Sequence, residues 1–323
     1  MAILVTGGAG YIGAHVVRAL ERAGLESVVV DDLSSGHREF VRPGVPFIDL
    51  NVLHAKQLVD QLADHQIDAV IHLAAFKYAG VSVEQPVHTW RQNVGGTLSL
   101  LRAMERLEIG AIVFSSSAAV YGTPDVEVVT EDTPTRPESP YGESKLVGEW
   151  MIRDQAVATG LRHTSLRYFN VVGSGEPDLY DSSPHNLFPL VIKALSQGHR
   201  PRIFGEDYPT PDGTCVRDYV HVADLAEAHV TAVRRLLDGR DLEPVYNLGN
   251  GDGVSVRQIM QAVSAATGVD FEPEVMGRRP GDPARIVASG ERAARDLDWK
   301  LTHTLDDMVA SAWQARPVEP ADD

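Results

Sequence analysis

Tyr141 and Lys145 stand four residues apart in the stretch Ser139-Pro140-Tyr141-Gly142-Glu143-Ser144-Lys145-Leu146. If that stretch is helical, both side chains reach the same cleft from one face. A free tyrosine has a pKa of about 10 and is a poor base at neutral pH. An ammonium beside it stabilises the phenolate, which can then take a proton from a substrate alcohol. Ser115-Ser116-Ser117 ends the apolar run that begins at Ala111. A hydroxyl at the carboxyl edge of a parallel sheet can hold the same substrate oxygen and relay its proton. One of the three serines, Tyr141 and Lys145 are therefore the candidate catalytic trio.

A second chemical signal lies at the N-terminus. The apolar run Ala2–Thr6 leads into Gly7-Gly8-Ala9-Gly10-Tyr11-Ile12-Gly13, followed at once by a helical stretch. In that context Gly7 allows the tight turn, Gly10 lets the backbone approach a pyrophosphate, and Gly13 lets helix and strand pack closely. The helix start offers free N–H groups to the phosphates. Asp31 ends the next apolar run, 18 residues after Gly13. A carboxylate there accepts from both ribose hydroxyls and repels a 2′-phosphate, which favours NAD over NADP. Asp32 adds to that repulsion despite nearby Arg38.

The elements that must position these groups alternate. Ala2–Thr6, Ser27–Asp31, Pro46–Ile48, Ala69–Leu73, Ala111–Ser115 and His163–Arg167 read as strands. Ile12–Ala23, Ala55–Asp64, His88–Arg106 and Gly142–Ala158 read as helices between them. That rhythm implies right-handed crossovers and a doubly wound parallel sheet of Rossmann-like α/β class. Beyond about Asn170, the loop-like stretches Val171–Pro184 and Arg200–Thr214 alternate with helices at Leu187–Gln197, Ala223–Leu237, Val256–Thr267 and Thr304–Trp313. This reads as a smaller mixed α/β substrate lobe, residues 171–218 and 249–323, set against a nucleotide domain of residues 1–170 with a returning segment at about 219–248. The polar tail Pro317–Asp323 reads as frayed.

Bulk properties narrow the partners. The chain has 323 residues and a formal charge of −16, which disfavours nucleic acid and anionic membrane surfaces. It has no apolar run of membrane-spanning length and no secretion signal at its start. Its single cysteine, Cys215, permits no intramolecular disulfide and fits the cytoplasm. The 12 histidines fall in no His-x-His, Cys-x-x-Cys or His-Glu-x-x-His spacing, so no metal is expected.

Gly-x-x-Gly-x-x-Gly together with Tyr-x-x-x-Lys resembles the extended short-chain dehydrogenase/reductases. Within them the chain resembles the UDP-glucose 4-epimerase family over nearly its full length. The matching stretches are GGAGYIG (7–13), SSSAAVYG (115–122), SPYGESKL (139–146), RYFN (167–170), FGEDYPTPDGTCVRDYVHV (204–222), YNLGNG (246–251) and RRPGD (278–282). The resemblance assigns the catalytic hydroxyl of the trio to Ser117, leaves Ser115 and Ser116 to strand-end packing and capping, and implies cofactor contacts at Tyr11, Ile12, Asp49, Leu50, Leu73, Ala74, Ala75, Lys77, Asn93, Ser115, Tyr141, Lys145 and Tyr168. It implies UDP-sugar contacts at Lys77, Ser117, Tyr141, Phe169, Asn170, Asn186, Leu187, Arg202, Ile203, Phe204, Arg217, Tyr219, Arg279, Asp282 and Ile286. Arg217 and Arg279 could fork onto a diphosphate. Either alone also fits a surface ion pair, Arg202 could offer only backbone, and Lys77 also fits a solvated lysine.

Within the superfamily, 4,6-dehydratases carry Asp-Glu after the catalytic hydroxyl, and this chain has Ala118-Ala119. The resemblance therefore implies oxidation at C4 of UDP-glucose or UDP-galactose, turning of the 4-keto sugar, and hydride return. It also implies a homodimer through helices matching His88–Arg106 and Gly142–Ala158. Ile286 falls where a bulky tyrosine excludes N-acetylated sugars, which leaves UDP-N-acetylglucosamine and UDP-pentoses open. Val81 replaces the family's usual glutamate between Gly80 and Ser82. A non-catalytic nucleotide-sugar binder is the other class of reading, and the presence of both Tyr141 and Lys145 argues against it.

Overall fold

The computed structural model describes residues 1–279 and 282–317. The tail from 318 onward, expected to fray, and Pro280 and Gly281 of the RRPGD stretch lie outside the described residues. The chain runs β1 (Ala2–Thr6), α1 (Tyr11–Arg22), β2 (Glu26–Asp31), β3 (Phe47–Asp49), α2 (Ala55–Leu62), β4 (Ile67–His72), α3 (Ala79–Glu84), α4 (Pro86–Trp90), a π-helical turn (Arg91–Gly95), α5 (Gly96–Arg106), β5 (Ala111–Ser115), α6 (Pro140–Thr159) and β6 (Arg162–Tyr168). It continues through β7 (Asn170–Val172), α7 (Leu187–Ser196), β8 (Arg202–Phe204), β9 (Val216–Arg217), β10 (Tyr219–His221), α8 (Val222–Leu237), β11 (Val245–Leu248), β12 (Val254–Ser255), α9 (Val256–Thr267), β13 (Glu274–Met276), β14 (Arg285–Ile286), α10 (Glu291–Leu297) and α11 (Leu305–Gln314).

Seven strands form one parallel sheet in the order β11-β6-β5-β4-β1-β2-β3. The chain winds outward from β1 to β3, then crosses back to β4 and winds the other way. Carboxyl ends of β1 and β4 thus diverge at a switch point, where such sheets leave a crevice. Side-chain alternation explains the continuous apolar runs. Ile3, Val5, Val29, Ile71 and Val113 meet α1 and α8, while Leu4, Val28, Val70, Ile112 and Phe114 meet α2, α5 and α6. Both faces are covered, so the central positions of β1, β2, β4, β5 and β6 are buried, while the strand starts and the edge strand β3 stay partly exposed.

Beyond β6, α8 packs against α1 and under the sheet, and β11 pairs in parallel with β6 from Val245 opposite Ser165. A second core lies under α7, α9 and α11, built from Phe188, Val191, Ile203, Tyr219, Ile259, Met260, Val263 and Met308.

Several boundaries differ from expectation. The third strand starts at Phe47, because Pro46 has no N–H to pair and only its carbonyl accepts from Val29. The helix expected at His88–Arg106 begins at Pro86, a favourable first-turn residue, and bulges into π geometry around Asn93. The stretches expected as loops each hold a short strand. β7 pairs with β10, and β8 pairs with β13, about seventy residues away.

Candidate active site

The glycine loop is held by sterics and one carboxylate. Gly7 adopts φ +75°, and a Cβ there would stand 2.7 Å from the Ala74 nitrogen. A Cβ on Gly13 would lie 2.0 Å from the Gly7 carbonyl oxygen, so α1 can approach β1 only with glycine at this position. Buried Asp31 accepts from the Ala9 N–H at 3.0 Å and the Leu33 N–H at 2.9 Å. Burial pushes its carboxyl above the ordinary range, against the pull of those amides. Asp32 accepts from Ser34 N–H at 3.0 Å and from the Asn51 amide at 2.5 Å. The Tyr11 hydroxyl donates to the Gly173 carbonyl at 2.6 Å and ties this loop to the segment after β7.

Tyr141 sits in the first turn of α6, which Ser139 caps by accepting from the Gly142 N–H at 3.2 Å. Its own N–H donates to Ser82 at 3.1 Å, so the segment after β4 holds the tyrosine's backbone. Burial raises the Tyr141 hydroxyl above its ordinary pKa, and a hydrogen bond with Ser117 works against that. Lys145 is 4% exposed; its Nζ donates to the Ser115 carbonyl at 2.8 Å and lies 5.9 Å from the Tyr141 ring centre. Burial pulls Lys145 down to about 8, with Glu149 pushing the other way.

Strand alternation sorts the three serines. Ser117 turns towards Tyr141 and also caps the following turn by accepting from Ala119 N–H at 3.1 Å. Ser116 donates to Glu149 at 2.5 Å. Ser115 stands 2.8 Å from His229 Nε2. Burial holds His229 near 4, so it is neutral, with Nδ1 donating to the Leu225 carbonyl at 2.9 Å and Nε2 accepting from Ser115. Tyr168, its hydroxyl pushed up by burial, bonds to Ser115 from the cavity side.

One cavity of about 1410 Å³ joins these groups to the second lobe. On the nucleotide side Gly7, Gly10, Tyr11, Ile12, Gly13, Asp31, Asp32, Leu50, Leu73, Ala74, Ala75, Lys77, Tyr141, Lys145 and Tyr168 line it. On the other side are Phe169, Asn170, Asn186, Leu187, Arg202, Phe204, Arg217, Tyr219, Arg279 and Asp282. Six expected residues stand off the lining. Asp49 is exposed at the end of β3, and Ile203 is buried in the second core. Ile286 and Phe169 each pack against the buried cluster of Val120, Tyr121, Val129, Leu146 and Ala288, and Ser115 and Ser117 lie behind Tyr168 and beside Tyr141. Asn93 clamps the chain instead: it accepts from Phe76 N–H at 2.7 Å and donates to the Phe76 carbonyl at 3.0 Å and to Ser144 at 2.8 Å.

The cations of the second wall are held differently from one another. Arg217 reaches Asp282 at 3.4 Å, and Arg279 lies over the Phe204 ring at 3.8 Å. Arg202 is taken up by Glu274 at 2.9 Å on the surface. Asn186 donates to Asp181 at 2.7 Å, and Asn170 to the Asp218 carbonyl at 2.9 Å.

The family described as "NAD dependent epimerase/dehydratase family" matches residues 3–249. The chain is 44% identical to a UDP-glucose 4-epimerase of Azospirillum brasilense over 96% of its length and 90% of that protein. A crystal structure of a UDP-glucose 4-epimerase from Brucella ovis in complex with NAD superposes with a TM-score of 0.92, at 40% identity and 97% coverage of both chains. One from Stenotrophomonas maltophila, with bound NAD and formylated UDP-arabinopyranose, superposes at 0.92 with 39% identity, covering 98% of this chain and 97% of that one. The chain belongs to the NAD dependent epimerase/dehydratase family.

Sequence reasoning missed several residues that build this epimerase/dehydratase site. Glu149, one turn beyond Lys145, is buried and receives a two-pronged bond from Arg167 at 2.8 and 2.6 Å. Arg167 donates onward to the Tyr121 hydroxyl at 2.8 Å, and Tyr121 to Asn247 at 2.7 Å. Asp218, fully buried, accepts from the N–H groups of Asn250 at 2.7 Å, Ala288 at 3.0 Å and Gly251 at 3.4 Å. Burial pushes its carboxyl up to about 6 against those bonds. The continued four-residue spacing Tyr141, Lys145, Glu149 was a signal available for the first; Asp218, between two expected contacts, offered none. Among the described residues, no group of three or more His, Cys, Asp or Glu is arranged to hold a metal.

Proposed function

We propose that this enzyme interconverts UDP-glucose and UDP-galactose by transient oxidation at C4, with NAD as its resident cofactor. The observation that carries the reading is the single cavity that joins the glycine loop and Asp31, the Tyr141–Lys145 pair, and Arg217 and Arg279. The residues fit a dinucleotide. Gly10 leaves an opening at the start of α1, where a Cβ would meet only the Gly7 oxygen, at 3.3 Å. Asp31 is fixed at the end of β2 to receive ribose hydroxyls, and Gly7, Gly10, Ile12, Asp32, Leu50, Leu73, Ala74, Ala75 and Lys77 line its path.

When bound, NAD supplies the hydride acceptor and donor for C4 and a positive charge beside the phenol. Tyr141 takes the O4 proton, and Ser117 holds the oxygen and relays. Lys145, fixed by the Ser115 carbonyl, offsets the phenolate charge. Arg217 and Arg279 grip the diphosphate, Asn170 and Asn186 offer amide donors, and Asp282 receives the uridine ribose. Binding energy is spent on UDP, so the 4-keto sugar is free to present its other face, and Tyr141 then returns the proton. Residues 1–170 with 219–248 serve the nucleotide, and residues 171–218 and 249–323 serve the UDP sugar. Ile286, which packs against the Val120 and Tyr121 cluster and carries no ring, favours a second reading in which N-acetylated or pentose UDP sugars are also accepted.

No helix among the described residues is long and apolar enough to cross a membrane. One buried cysteine and a formal charge of −16 support a cytoplasmic location. Val87 on α4, Leu98 on α5, and Trp150 and Val157 on α6 are exposed apolar residues, and they supply the contact face of a homodimer. The purified protein is expected to equilibrate UDP-glucose and UDP-galactose without net turnover of added NAD. A preparation that carries NAD yet leaves both sugars unchanged would sink the proposal, and a panel including UDP-N-acetylglucosamine and UDP-arabinose separates the two readings.

A further inference from the structure

We infer that Glu149 is a positioning residue for the proton transfer: with Lys145 and Arg167 it forms a buried row of alternating charge that leaves one net positive charge behind Tyr141. This rests on the reading of Tyr141 as the base. Tyr141, Lys145 and Glu149 occupy successive turns of one face of α6, and Arg167 reaches them from β6. All three charged groups are nearly sealed from water, with side chains of Glu149 and Arg167 7% and 6% exposed and Lys145 4% exposed as a residue.

A buried ion pair is costly to break, because the partner left behind has no water to turn to. Lys145 and Arg167 contribute two positive charges and Glu149 one negative. The remainder is balanced only when Tyr141 carries its negative charge, so the row favours the phenolate without any cation touching its oxygen. Glu149 also fixes distances. It receives Ser116 at 2.5 Å, and Ser116 follows the Ser115 carbonyl that takes the Lys145 ammonium at 2.8 Å. One carboxylate thus sets both the charge of the row and the strand end that aims the lysine.

The other groups facing the row do not upset this sum. From β4, His72 is buried beside Lys145 and held neutral near 3 by burial and that cation. Tyr168 on β6 and Tyr121 have their hydroxyls pushed up by burial, so they stay neutral. Beyond Tyr121, Glu131 is matched by Arg292 at 3.6 Å and by the Asn247 N–H at 2.8 Å.

The test uses the full-length, NAD-loaded protein. The phenolate absorption of residue 141 is read as the difference between each protein and its Tyr141→Phe counterpart across a pH titration, and kcat for epimerisation is measured over the same range. Glu149→Gln is expected to move the phenolate midpoint and both limbs of the kcat profile to lower pH by roughly one unit. Arg167→Met is expected to move them upward. The double variant, which restores the charge sum, is expected to bring them back towards the wild-type position. Glu149→Asp is expected to hold the position while lowering kcat. A merely structural role would lower kcat at every pH and leave the midpoint in place, and that result in Glu149→Gln overturns the inference. If Glu149→Gln does not fold, the double variant decides, since a neutral pair leaves no orphaned charge, and a displaced midpoint there overturns the inference as well. The phenolate titration needs no sugar, so failure of the row and failure of the epimerase reading give different results.

Discussion

The two walls of the cavity are built by different means. On the wall proposed for the nucleotide, Gly7 after β1, Asp31 on β2, Leu73 after β4, Ser117 after β5 and Tyr168 on β6 hang at or just past the carboxyl ends of strands in one parallel sheet, and Tyr141 and Lys145 face them from α6. Strand spacing and register place these groups, and the apolar cores on both faces keep that register. The UDP wall consists of strands two or three residues long, joined to partners far along the chain. Besides the small core under α7, α9 and α11, it is held by a few polar residues, of which Asp218, with its three N–H partners, is the most central. One wall is positioned by strand register over two large cores, the other by a smaller core and a few hydrogen bonds. Substitutions on the first should therefore change chemistry without changing binding, and on the second should change binding, or local stability, without changing chemistry.

Tyr141→Phe gives the largest expected effect. Loss of a positioned base costs about 10²–10⁴-fold in rate, so kcat should fall by that factor. KM and melting temperature should stay near the wild-type values, because the ring and its packing remain. Retention of full turnover would mean that the nucleotide wall does not carry the proton transfer.

Arg217→Leu tests the opposite wall. Bonds to charged groups are worth roughly 1.5–3 kcal/mol, which corresponds to a 10–100-fold rise in KM for the UDP sugar. The turnover at saturation should change by only a few-fold, as expected for uniform binding lost from ground and transition states alike. If kcat fell as far as KM rose, the two walls would not be separable. Steady-state kinetics with both UDP-glucose and UDP-galactose measures this.

The same division governs what could be read before the fold was known. Gly7–Gly13, Asp31 and the Tyr141–Lys145 spacing are local signals, fixed by one turn, one strand and one helix face, and the structure brings all of them to one cavity. The parallel sheet was equally legible, since continuous apolar runs such as Ile3–Val5 and Val28–Val30 admit burial on two faces. What failed to show was non-local. β7 and β8 lie in stretches rich in Gly, Pro and Asp, and they become strands only because β10 and β13 pair with them. Arg202, expected near the ligand, spends its charge on Glu274 of the neighbouring strand β13. Glu149 and Asp218 carry ordinary surface letters, and only their three-dimensional partners reveal them as buried.

Asp218→Asn probes the most connected polar residue of the UDP wall, and its expected effect is the smallest and the most dependent on pH. The native carboxyl titrates near 6, above the ordinary 3.8, because burial outweighs the amides of Ala288, Asn250 and Gly251. A group whose folded pKa is raised adds stability at pH below its unfolded value and loses that contribution as pH rises through the folded one. Between pH 4 and 6 the native protein should therefore lose stability with rising pH relative to the asparagine variant, which has no such titration. At pH 7 two effects oppose. Asparagine relieves a buried charge but supplies one acceptor oxygen where two served three N–H groups, and an orphaned buried donor costs about 1–3 kcal/mol. A modest net loss is expected, felt first at the corner joining Arg217 to Tyr219, with KM for the UDP sugar rising a few-fold and kcat nearly constant. Thermal melting of both proteins from pH 4 to 7 checks the sign: the gap between them should widen in the native protein's favour as the pH falls. Parallel curves would mean that the carboxyl is ionised throughout, and the UDP wall would then rest on a charged clamp rather than a protonatable one.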